Sequence, residues 1–532
     1  MNNSVINELN FKNEPVIKYL PKSRERMELE AELYRIKNFY IDIPLIIGGK
    51  EIRTGNKGLC IIPHNHKKVI GEYHKAGKEE VELAINEALK AKTKWEEMPW
   101  EHKVSIFLRA AELAAGTWRA KLNAATMLTQ SKTCRQAEID SACELIDFFR
   151  YNAYCIQQIY NEQPLSTKDV WNRIEYRPLE GFIFAVSPFN FTSIAGNLCA
   201  SPAMAGNTIL WKPASTTVYS SYVVYKLFQE AGLPDGVINF IPGNSGEISD
   251  TVLSSEHLSG IHFTGSTKVF QDMWTAVGNN ITNYRTFPRI VGETGGKNYI
   301  IAHASADRKS LIEGLIDGSF EFQGQKCSAA SRAYIAKSVW NEIKDTLIKK
   351  VSNIKVGDIE EIDTYMGAVI DNKSYDSIAK YIEYAKNSSD AEILIGGEHD
   401  DRSGYFVNPT IILTENPNFK TMEEEIFGPV LTIFIYDDLN YSDILKLCNN
   451  TSKYALTGSI FAKDRYAIEE AEKELVHSAG NFYVNVKPTG AVVSQQPFGG
   501  SRLSGTNDKA GSKFNLIRWM SPRVIKEQLH IK

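Results

Sequence analysis

The chain has 532 residues, of which 43% are hydrophobic and 23% charged, and its formal net charge is −4. One hydrophobic core does not serve a chain of this length, so we expect two or three domains. The small negative charge excludes a general attraction to nucleic acid or to anionic membrane surfaces. No apolar run approaches the roughly 18 residues that a membrane span needs, and the composition is that of an ordinary soluble enzyme.

The residues near the start of the chain and the cysteines indicate a compartment. The seven cysteines are scattered, odd in number and without metal-type spacing, which favours a reducing compartment with no disulfide framework and no zinc site. The first 18 residues lack an apolar signal core and include Glu8 and Glu14, which argues against a signal or transit peptide. We expect a cytoplasmic protein, with the mitochondrial matrix as the alternative, and neither nucleic-acid nor membrane partners.

The periodicity of the sequence changes near residue 181. Residues 1–40 are polar with one amphipathic stretch, and residues 79–160 carry apolar residues at helical spacing. Short apolar runs follow at 181–186, 207–211, 237–241 and 260–264, and the first two precede helical segments, which is the pattern of parallel α/β units. A second such series begins near Asn298 and continues past Val430. The sequence therefore predicts an α/β protein with two parallel sheets and a cleft between them.

One cysteine lies in a segment rich in glycine and glutamine. Gln323–Ser328 reads Gln-Gly-Gln-Lys-Cys-Ser, and we expect Lys326 to lower the pKa of the Cys327 thiol, since a nearby cation favours the reactive thiolate. Glu293 lies 34 residues upstream, in what reads as a glycine-rich turn. A nucleophile and a base on irregular backbone are typical of covalent catalysis. The alternative is a buried structural cysteine and a solvated glutamate.

Seven segments, in order along the chain, resemble the aldehyde dehydrogenase superfamily. They are Ser187-Pro-Phe-Asn-Phe, Trp211-Lys-Pro, Phe263-Thr-Gly-Ser, Glu293-Thr-Gly-Gly-Lys, Gly324-Gln-Lys-Cys, Glu425-Ile-Phe-Gly-Pro and Pro497-Phe-Gly-Gly. The resemblance covers roughly residues 40 to 525. It implies two Rossmann-like parallel-sheet domains and a small oligomerisation arm, hence a homodimer or larger homo-oligomer. The implied ranges are an N-terminal arm (1–40), an NAD-binding domain (41–160 and 181–294), a catalytic domain (295–487) and the oligomerisation arm (161–180 and 504–532).

The resemblance also implies a coenzyme site. Gly265 and Ser266 follow a strand-like run and open a helical segment, where backbone N–H groups suit a phosphate, although Phe270 stands where the family often has a second glycine. Lys212 would bind the adenosine ribose. Ser215 occupies a position at which many NAD-specific members carry an acid, so NAD is the expected coenzyme and NADP the alternative. The remaining coenzyme residues implied by the resemblance are Ser187, Glu425, at the nicotinamide ribose, and Phe427.

The chemistry implied by the resemblance is oxidation of an aldehyde through a thioester. Cys327 would attack the aldehyde carbon, and the oxyanion would accept hydrogen bonds from Asn190 and the Cys327 backbone N–H. After hydride transfer, Glu293 would act as the general base for hydrolysis.

The amino-acid sequence around these segments resembles the branch of the superfamily that oxidises L-glutamate γ-semialdehyde to L-glutamate in proline catabolism. Ser328, Gly490 and Ala491 would hold the substrate carboxylate, with Phe191 and Phe498 flanking its aliphatic part. Another small aldehyde, such as succinate semialdehyde, and a catalytically silent protein of this fold are the alternatives. We expect no flavin barrel of a fused proline dehydrogenase, since none precedes residue 40.

Overall fold

The computed structural model describes residues 9–530. The first eight residues of the expected N-terminal arm and the last two of the oligomerisation arm lie outside the described residues. Within the described part, the helices are α1 (Arg24–Asn38), α2 (Lys78–Glu97), α3 (Trp100–Ala115), α4 (Arg119–Gln130), α5 (Cys134–Ala137), α6 (Glu144–Tyr160), α7 (Thr192–Met204), α8 (Val218–Ala231), α9 (Ser245–Leu253), α10 (Thr267–Asn279), α11 (Arg308–Phe320), α12 (Lys337–Ser352), α13 (Asn372–Lys386), α14 (Lys420–Glu423), α15 (Tyr441–Thr451), α16 (Arg465–Glu474) and α17 (Lys513–Ile517).

A turn of π-helix, Glu138–Cys143, joins α5 to α6, and short 3₁₀ helices lie at Ser215–Thr217, Glu321–Gly324 and Asp438–Asn440. The strands are β1 (Ile41–Ile43), β2 (Leu45–Ile47), β3 (Lys50–Ile52), β4 (Lys57–Ile62), β5 (Asn65–His74), β6 (Val170–Pro178), β7 (Phe182–Val186), β8 (Thr208–Lys212), β9 (Ile238–Phe240), β10 (Leu258–Thr264), β11 (Arg289–Glu293), β12 (Asn298–Ala302), β13 (Ala330–Ala336), β14 (Ala391–Ile395), β15 (His399–Asp400), β16 (Phe406–Val407), β17 (Thr410–Thr414), β18 (Val430–Tyr436), β19 (Tyr454–Ala455), β20 (Thr457–Phe461), β21 (Asn481–Val484), β22 (Ser501–Arg502) and β23 (Met520–Gln528).

The first large sheet has the strand order β11-β10-β7-β8-β9-β2-β3. Its first five strands are parallel, and β2 and β3 add an antiparallel edge. Strands β7 and β8 are buried along their whole length, because helices cover both faces of a parallel sheet and the strands are then apolar throughout. One face packs on a core shared with α3, α4, α6 and α8, and the other on a core shared with α2, α9 and α10.

The second large sheet has the strand order β14-β17-β18-β13-β12-β20-β21 and is parallel except for β14. Its core takes residues from α11, α12, α13, α15 and α16. The strands of the two sheets fall within the ranges expected for the NAD-binding and catalytic domains, while the boundaries themselves stay a prediction.

The two arms expected from sequence pack differently. In the N-terminal arm, α1 buries Leu29, Leu33 and Ile36 in the first core. Strands β6 and β23 pair antiparallel over nine residues as a separate ribbon, from Val170 opposite Gln528 to Pro178 opposite Met520. The extra sheet expected from residues 173–177 and the C-terminal tail is therefore present. No helix in residues 9–530 has the length and apolar character to cross a membrane.

The edges of the two large sheets determine where chemistry can occur. Ser187, Lys212, Gly265 and Glu293 lie at or directly after the carboxyl ends of β7, β8, β10 and β11, which are neighbouring parallel strands. Cys327 precedes β13 in the second sheet. Ligands of open parallel sheets bind beyond the carboxyl ends of the strands, so a ligand site is expected at this edge.

Candidate active site

The loop that carries Cys327 is held in an uncommon backbone conformation. Phe322 and Gln323 have φ values of 53° and 55°, in the left-handed region, which L-residues with a Cβ rarely adopt. The fully buried Gln323 side chain holds the turn: its amide nitrogen donates to the carbonyls of Ser131 (3.1 Å) and Ala368 (2.8 Å), and its oxygen accepts from the Gly367 N–H (3.1 Å).

The other side of Cys327 is fixed by Asn298, at the start of β12. Its side-chain nitrogen donates to the carbonyls of Cys327 (2.7 Å) and Ala329 (2.9 Å). A Cβ at Gly296 would lie 2.3 Å from the Cys327 carbonyl oxygen. Glycine at this position therefore permits the close approach of the two segments.

The environment of the thiol differs from the sequence-based expectation. Burial, together with the nearby carboxyl groups of Glu293 and Glu425, raises the pKa of Cys327 to about 12, against some lowering by the backbone N–H groups of Ser328 and Cys327. The expectation that Lys326 acidifies the thiol is wrong. Its ammonium lies 3.3 Å from a Glu321 carboxylate oxygen and 3.6 Å from one of Asp140, so it forms ion pairs with these carboxylates instead of stabilising a Cys327 thiolate.

Glu293 is the last residue of β11 and not part of a turn, as the sequence had suggested. One carboxylate oxygen accepts the backbone N–H of Gly500 at 2.9 Å, and a Cβ at Gly499 would lie 3.0 Å from the other. Burial raises its pKa well above the usual value, and the Gly500 hydrogen bond and the charge of Lys509 offset this only in part. Its affinity for a proton is therefore higher than that of an exposed glutamate.

A cavity of about 320 Å³ joins the sequence-predicted catalytic and substrate residues. Its wall includes Cys327, Glu293, Ser328, Gly490, Ala491, Phe191 and Phe498. Asn190 is buried beside it and donates to the carbonyl of Gln325, two residues before the nucleophile, at 3.1 Å. Four distant segments of the chain thus converge on one cavity.

The residues expected to bind the adenosine and phosphate parts of a dinucleotide lie along the carboxyl edge of the first sheet. Ser266 is the N-cap of α10, and its hydroxyl accepts the Val269 N–H. The backbone N–H groups of the first turn of α10 therefore lie directly after Gly265, where a phosphate is expected. Lys212 is buried, which lowers the pKa of its ammonium to about 8, and no ion pair to it is found in residues 9–530. Ser187 accepts the indole N–H of Trp211 at 3.0 Å.

Phe270 and Ser215 are the two positions at which this chain departs from the sequence pattern common in the resembled family. Phe270 is buried and stacks on Phe263 with ring centroids 5.2 Å apart, and a Cβ at Gly292 would lie 2.3 Å from its ring. The Phe270 side chain therefore packs against Phe263 of β10 and Gly292 of β11. Ser215 is exposed at the start of a 3₁₀ helix and hydrogen-bonds Tyr73.

Glu425, one of the expected coenzyme residues, lies near the nucleophile Cys327. Its carboxylate accepts the Gly296 N–H at 2.8 Å, and burial raises its pKa to about 7. Phe427, two residues on, has φ 58° and meets Phe189 edge-on at 5.8 Å. Glu425 therefore lies close enough to the nucleophile to raise the pKa of Cys327.

The structure adds a buried charged cluster that the sequence did not reveal. Glu144 lines the cavity from α6, accepts the Ser193 hydroxyl at 2.6 Å, and has its pKa raised to about 8 by burial. Lys132 pairs with Asp140 at 2.7 Å and lies 4.1 Å from the centre of the Phe191 ring.

Comparison with known proteins agrees with this geometry. The family model "Aldehyde dehydrogenase family" matches residues 53–525. This chain belongs to the aldehyde dehydrogenase family. It is 50% identical over 518 residues to the mitochondrial delta-1-pyrroline-5-carboxylate dehydrogenase of Dictyostelium discoideum, covering 97% of this chain and 93% of that protein. It is 46% identical to the human mitochondrial protein of the same name, covering 98% and 92%.

A solved structure is similarly close. The crystal structure of the Delta-pyrroline-5-carboxylate dehydrogenase from Mycobacterium tuberculosis bound with NAD matches with a TM-score of 0.96 and 47% identity, over 100% of this chain and 98% of that one. The α/β fold expected from the family resemblance is therefore confirmed.

Proposed function

We propose that this chain oxidises L-glutamate γ-semialdehyde, the open form of pyrroline-5-carboxylate, to L-glutamate, a step of proline catabolism, with NAD as the coenzyme. One observation carries the proposal. A single cavity has the nucleophile and base of an aldehyde dehydrogenase, Cys327 and Glu293, beside a polar anchor made by Ser328, Gly490 and Ala491. Full-length relatives named for this activity support it.

The residues present fit NAD. The first-turn amides of α10 suit its pyrophosphate, and Lys212 is a buried cation without an ion-pair partner in residues 9–530. The buried Glu425 carboxyl is suited to a ribose hydroxyl. When bound, NAD accepts the hydride that leaves the substrate carbon.

In the first half-reaction, Cys327 must lose its proton although the pKa of its thiol is about 12. Glu293 lines the same cavity and its pKa is raised, so it can accept that proton. The sulfur then bonds to the aldehyde carbon, and the resulting oxyanion accepts hydrogen bonds from Asn190 and the Cys327 backbone N–H. Loss of hydride from that carbon leaves an acyl thioester on the cysteine.

In the second half-reaction, the thioester is hydrolysed. Glu293, after releasing the first proton, takes one from water as the water oxygen bonds to the acyl carbon. The carbon–sulfur bond breaks, the carboxylic acid leaves, and the Cys327 thiolate takes the proton back from Glu293, which restores the neutral thiol. One aldehyde and one water give one acid, one hydride and the proton that Glu293 released after the first half-reaction.

The substrate end that does not react is a zwitterion. Its carboxylate would accept hydrogen bonds from the Ser328 hydroxyl and the backbone N–H groups of Gly490 and Ala491. Gly490 has φ 84°, a conformation for which glycine is suited. Glu144 provides a carboxyl for the ammonium, which would favour its ionised form. Succinate semialdehyde has no ammonium to compensate Glu144, and the intact set of Cys327, Glu293 and Asn190 disfavours a silent structural protein.

We also propose that the active form is a homodimer or larger. The β6–β23 ribbon exposes Trp171 and Val524, and Leu165 beside it is 92% exposed, so a second copy would cover apolar side chains. As to compartment, the relatives from Dictyostelium discoideum and human are named mitochondrial, while the expectation of a cytoplasmic protein stays a prediction.

The test is a panel of aldehydes with purified wild-type protein and Ser328→Ala. A hydrogen bond to a charged group is worth about 1.5–3 kcal/mol, so the substitution should lower kcat/KM for glutamate semialdehyde by roughly ten- to a hundredfold. Propanal has no carboxylate and serves as the matched control, with a much smaller change. Preference of the wild type for succinate semialdehyde, or an equal loss on both substrates in Ser328→Ala, would contradict the assignment.

A further inference from the structure

Residues 9–19, here called the N-terminal strap, cross helix α6 and reach the active-site cavity. The backbone N–H of Leu9 donates to Gln157 (2.8 Å), and that of Ile17 donates to Glu138 (2.8 Å). Between these two points, Asn13, Glu14 and Val16 form part of the cavity wall. The strap is therefore built into the site and is not a surface extension.

Partly buried charges hold the strap in place. The Glu14 carboxylate accepts hydrogen bonds from Arg119 and Arg150, both at 2.6 Å, and its backbone N–H donates to Asp147 at 2.7 Å. Charge-assisted pairs of this kind are the stronger hydrogen bonds of proteins. They fix the position of the neighbouring Asn13 backbone independently of the loop that follows β21.

The Asn13 side chain joins α6 to the loop that carries the carboxylate anchor. Its amide nitrogen donates to an Asp147 carboxylate oxygen (2.8 Å) and to the carbonyl of Val493 (2.9 Å), and its amide oxygen accepts from the Gln495 side chain (3.0 Å). Val493 and Gln495 follow the anchor residues Gly490 and Ala491 by only a few positions.

This loop, residues 485–500 between β21 and β22, contacts the rest of the protein on both sides of the anchor. On one side, the Lys487 ammonium pairs with Glu321 at 2.7 Å. On the other side lies the Asn13 contact. Gly490 between them is exposed and in the left-handed region, and glycine gives a chain the most freedom to leave one conformation. The Lys487–Glu321 ion pair and the Asn13 hydrogen bonds, one on each side of Gly490, therefore hold this part of the loop in one conformation.

We propose that Asn13 is a positioning residue for substrate selection: it holds the 485–500 loop so that the backbone N–H groups of Gly490 and Ala491 meet the substrate carboxylate. This inference rests on the proposed function for the identity of the substrate. The strap thereby contributes to specificity from a part of the chain that precedes both large domains. A shift of about 1 Å in a binding group is enough to cost much of its contribution.

The experiment compares Asn13→Ala with two controls in the same strap. Lys12→Ala changes an exposed neighbour. Tyr19→Phe removes the hydroxyl that donates to Glu138 at 2.8 Å, which weakens strap docking without contact to the loop. We expect Asn13→Ala to raise KM for glutamate semialdehyde roughly tenfold, since it removes two neutral hydrogen bonds to the loop, with kcat and propanal oxidation nearly unchanged. Tyr19→Phe should lower Tm and leave the ratio of the two substrates as in the wild type.

Gln495→Ala removes the side-chain donor to the Asn13 amide oxygen. Because both substitutions act on one contact, the double variant Asn13→Ala/Gln495→Ala should be little worse than Asn13→Ala alone. Full additivity, or an equal effect of Asn13→Ala on propanal and glutamate semialdehyde, overturns the proposal. So does a substrate ratio in Tyr19→Phe that moves as far as in Asn13→Ala.

A readout without substrate separates this inference from the proposed function. Amide hydrogen exchange of residues 488–495 should be faster in Asn13→Ala than in Lys12→Ala or Tyr19→Phe, because the loop loses one of its fixed sides. If the wild type fails to oxidise glutamate semialdehyde, the proposed function falls. Faster exchange in Asn13→Ala alone then still supports the positioning role, and unchanged exchange overturns it.

Discussion

Replacing Gln323 by methionine tests how the nucleophile is held in place. The two side chains are of similar length and volume, so the change leaves no large cavity, but methionine cannot make the hydrogen bonds to Ser131, Gly367 and Ala368. These bonds connect the nucleophile loop to a turn after α4 and to the segment before α13. The backbone at Phe322 and Gln323 would then keep its left-handed conformation without that support.

The structure gives the size of the effect. Three buried hydrogen bonds at about 1 kcal/mol net each make about 3 kcal/mol, and the left-handed conformation costs about 1 kcal/mol at each of the two residues. In the wild type, the free energy of the three hydrogen bonds exceeds the conformational strain at Phe322 and Gln323. Without those bonds, the strain favours another conformation of the loop. Since about 1.4 kcal/mol corresponds to a factor of ten, we expect kcat to fall by about ten- to a hundredfold.

The assay is steady-state NADH formation with propanal, together with the rate of Cys327 alkylation by iodoacetamide. Gln325→Met is the matched control, because Gln325 is equally buried but its side-chain atoms have no hydrogen-bond partner in residues 9–530. That variant keeps the backbone carbonyl that Asn190 contacts, so its loss of kcat should be smaller. A wild-type kcat in Gln323→Met, or equal losses in both variants, would refute the reasoning.

Two further predictions concern the base and the assembly. Glu293 raises the pKa of the Cys327 thiol, so Glu293→Gln should speed alkylation at pH 8, while steady-state NADH formation falls because both half-reactions lose their proton acceptor. In the wild type the alkylation rate should rise about tenfold per pH unit below the thiol pKa, because only the thiolate reacts; slower alkylation or an unchanged turnover rate in Glu293→Gln would identify a different base. Sedimentation at micromolar concentration should give a dimer or larger species, and a monomer would contradict the covering of the β6–β23 ribbon.

Much of the fold was predictable because buried parallel strands leave a local signal. The apolar runs at 181–186 and 207–211 became β7 and β8 with a shift of one residue, and the run from Asn298 became β12. Such strands are apolar on both faces, so a continuous run identifies them without knowledge of their neighbours. The convergence of Cys327, Glu293 and Ser328 on one cavity was anticipated through the family resemblance.

Side-chain direction and long-range partners were not predictable in the same way. Lys326 is adjacent to Cys327 in sequence, yet its ammonium forms ion pairs with Glu321 and Asp140. Asp140 is 186 residues away along the chain. Asn13 and Val493 are 480 residues apart and make a direct contact. No periodicity or motif records such pairs, because each depends on how separate elements pack.

The Lys326 result changes how activation of the nucleophile is understood. A cysteine beside an unpaired lysine would be a thiolate at rest, whereas here two carboxyl groups, Glu293 and Glu425, raise the thiol pKa along with burial. The resting thiol is therefore neutral, and a proton acceptor is needed for each turnover. Glu293 is in the cavity and has its own pKa raised by burial, which makes it a stronger proton acceptor than an exposed glutamate, so one carboxylate can serve both the attack on the aldehyde and the hydrolysis of the thioester.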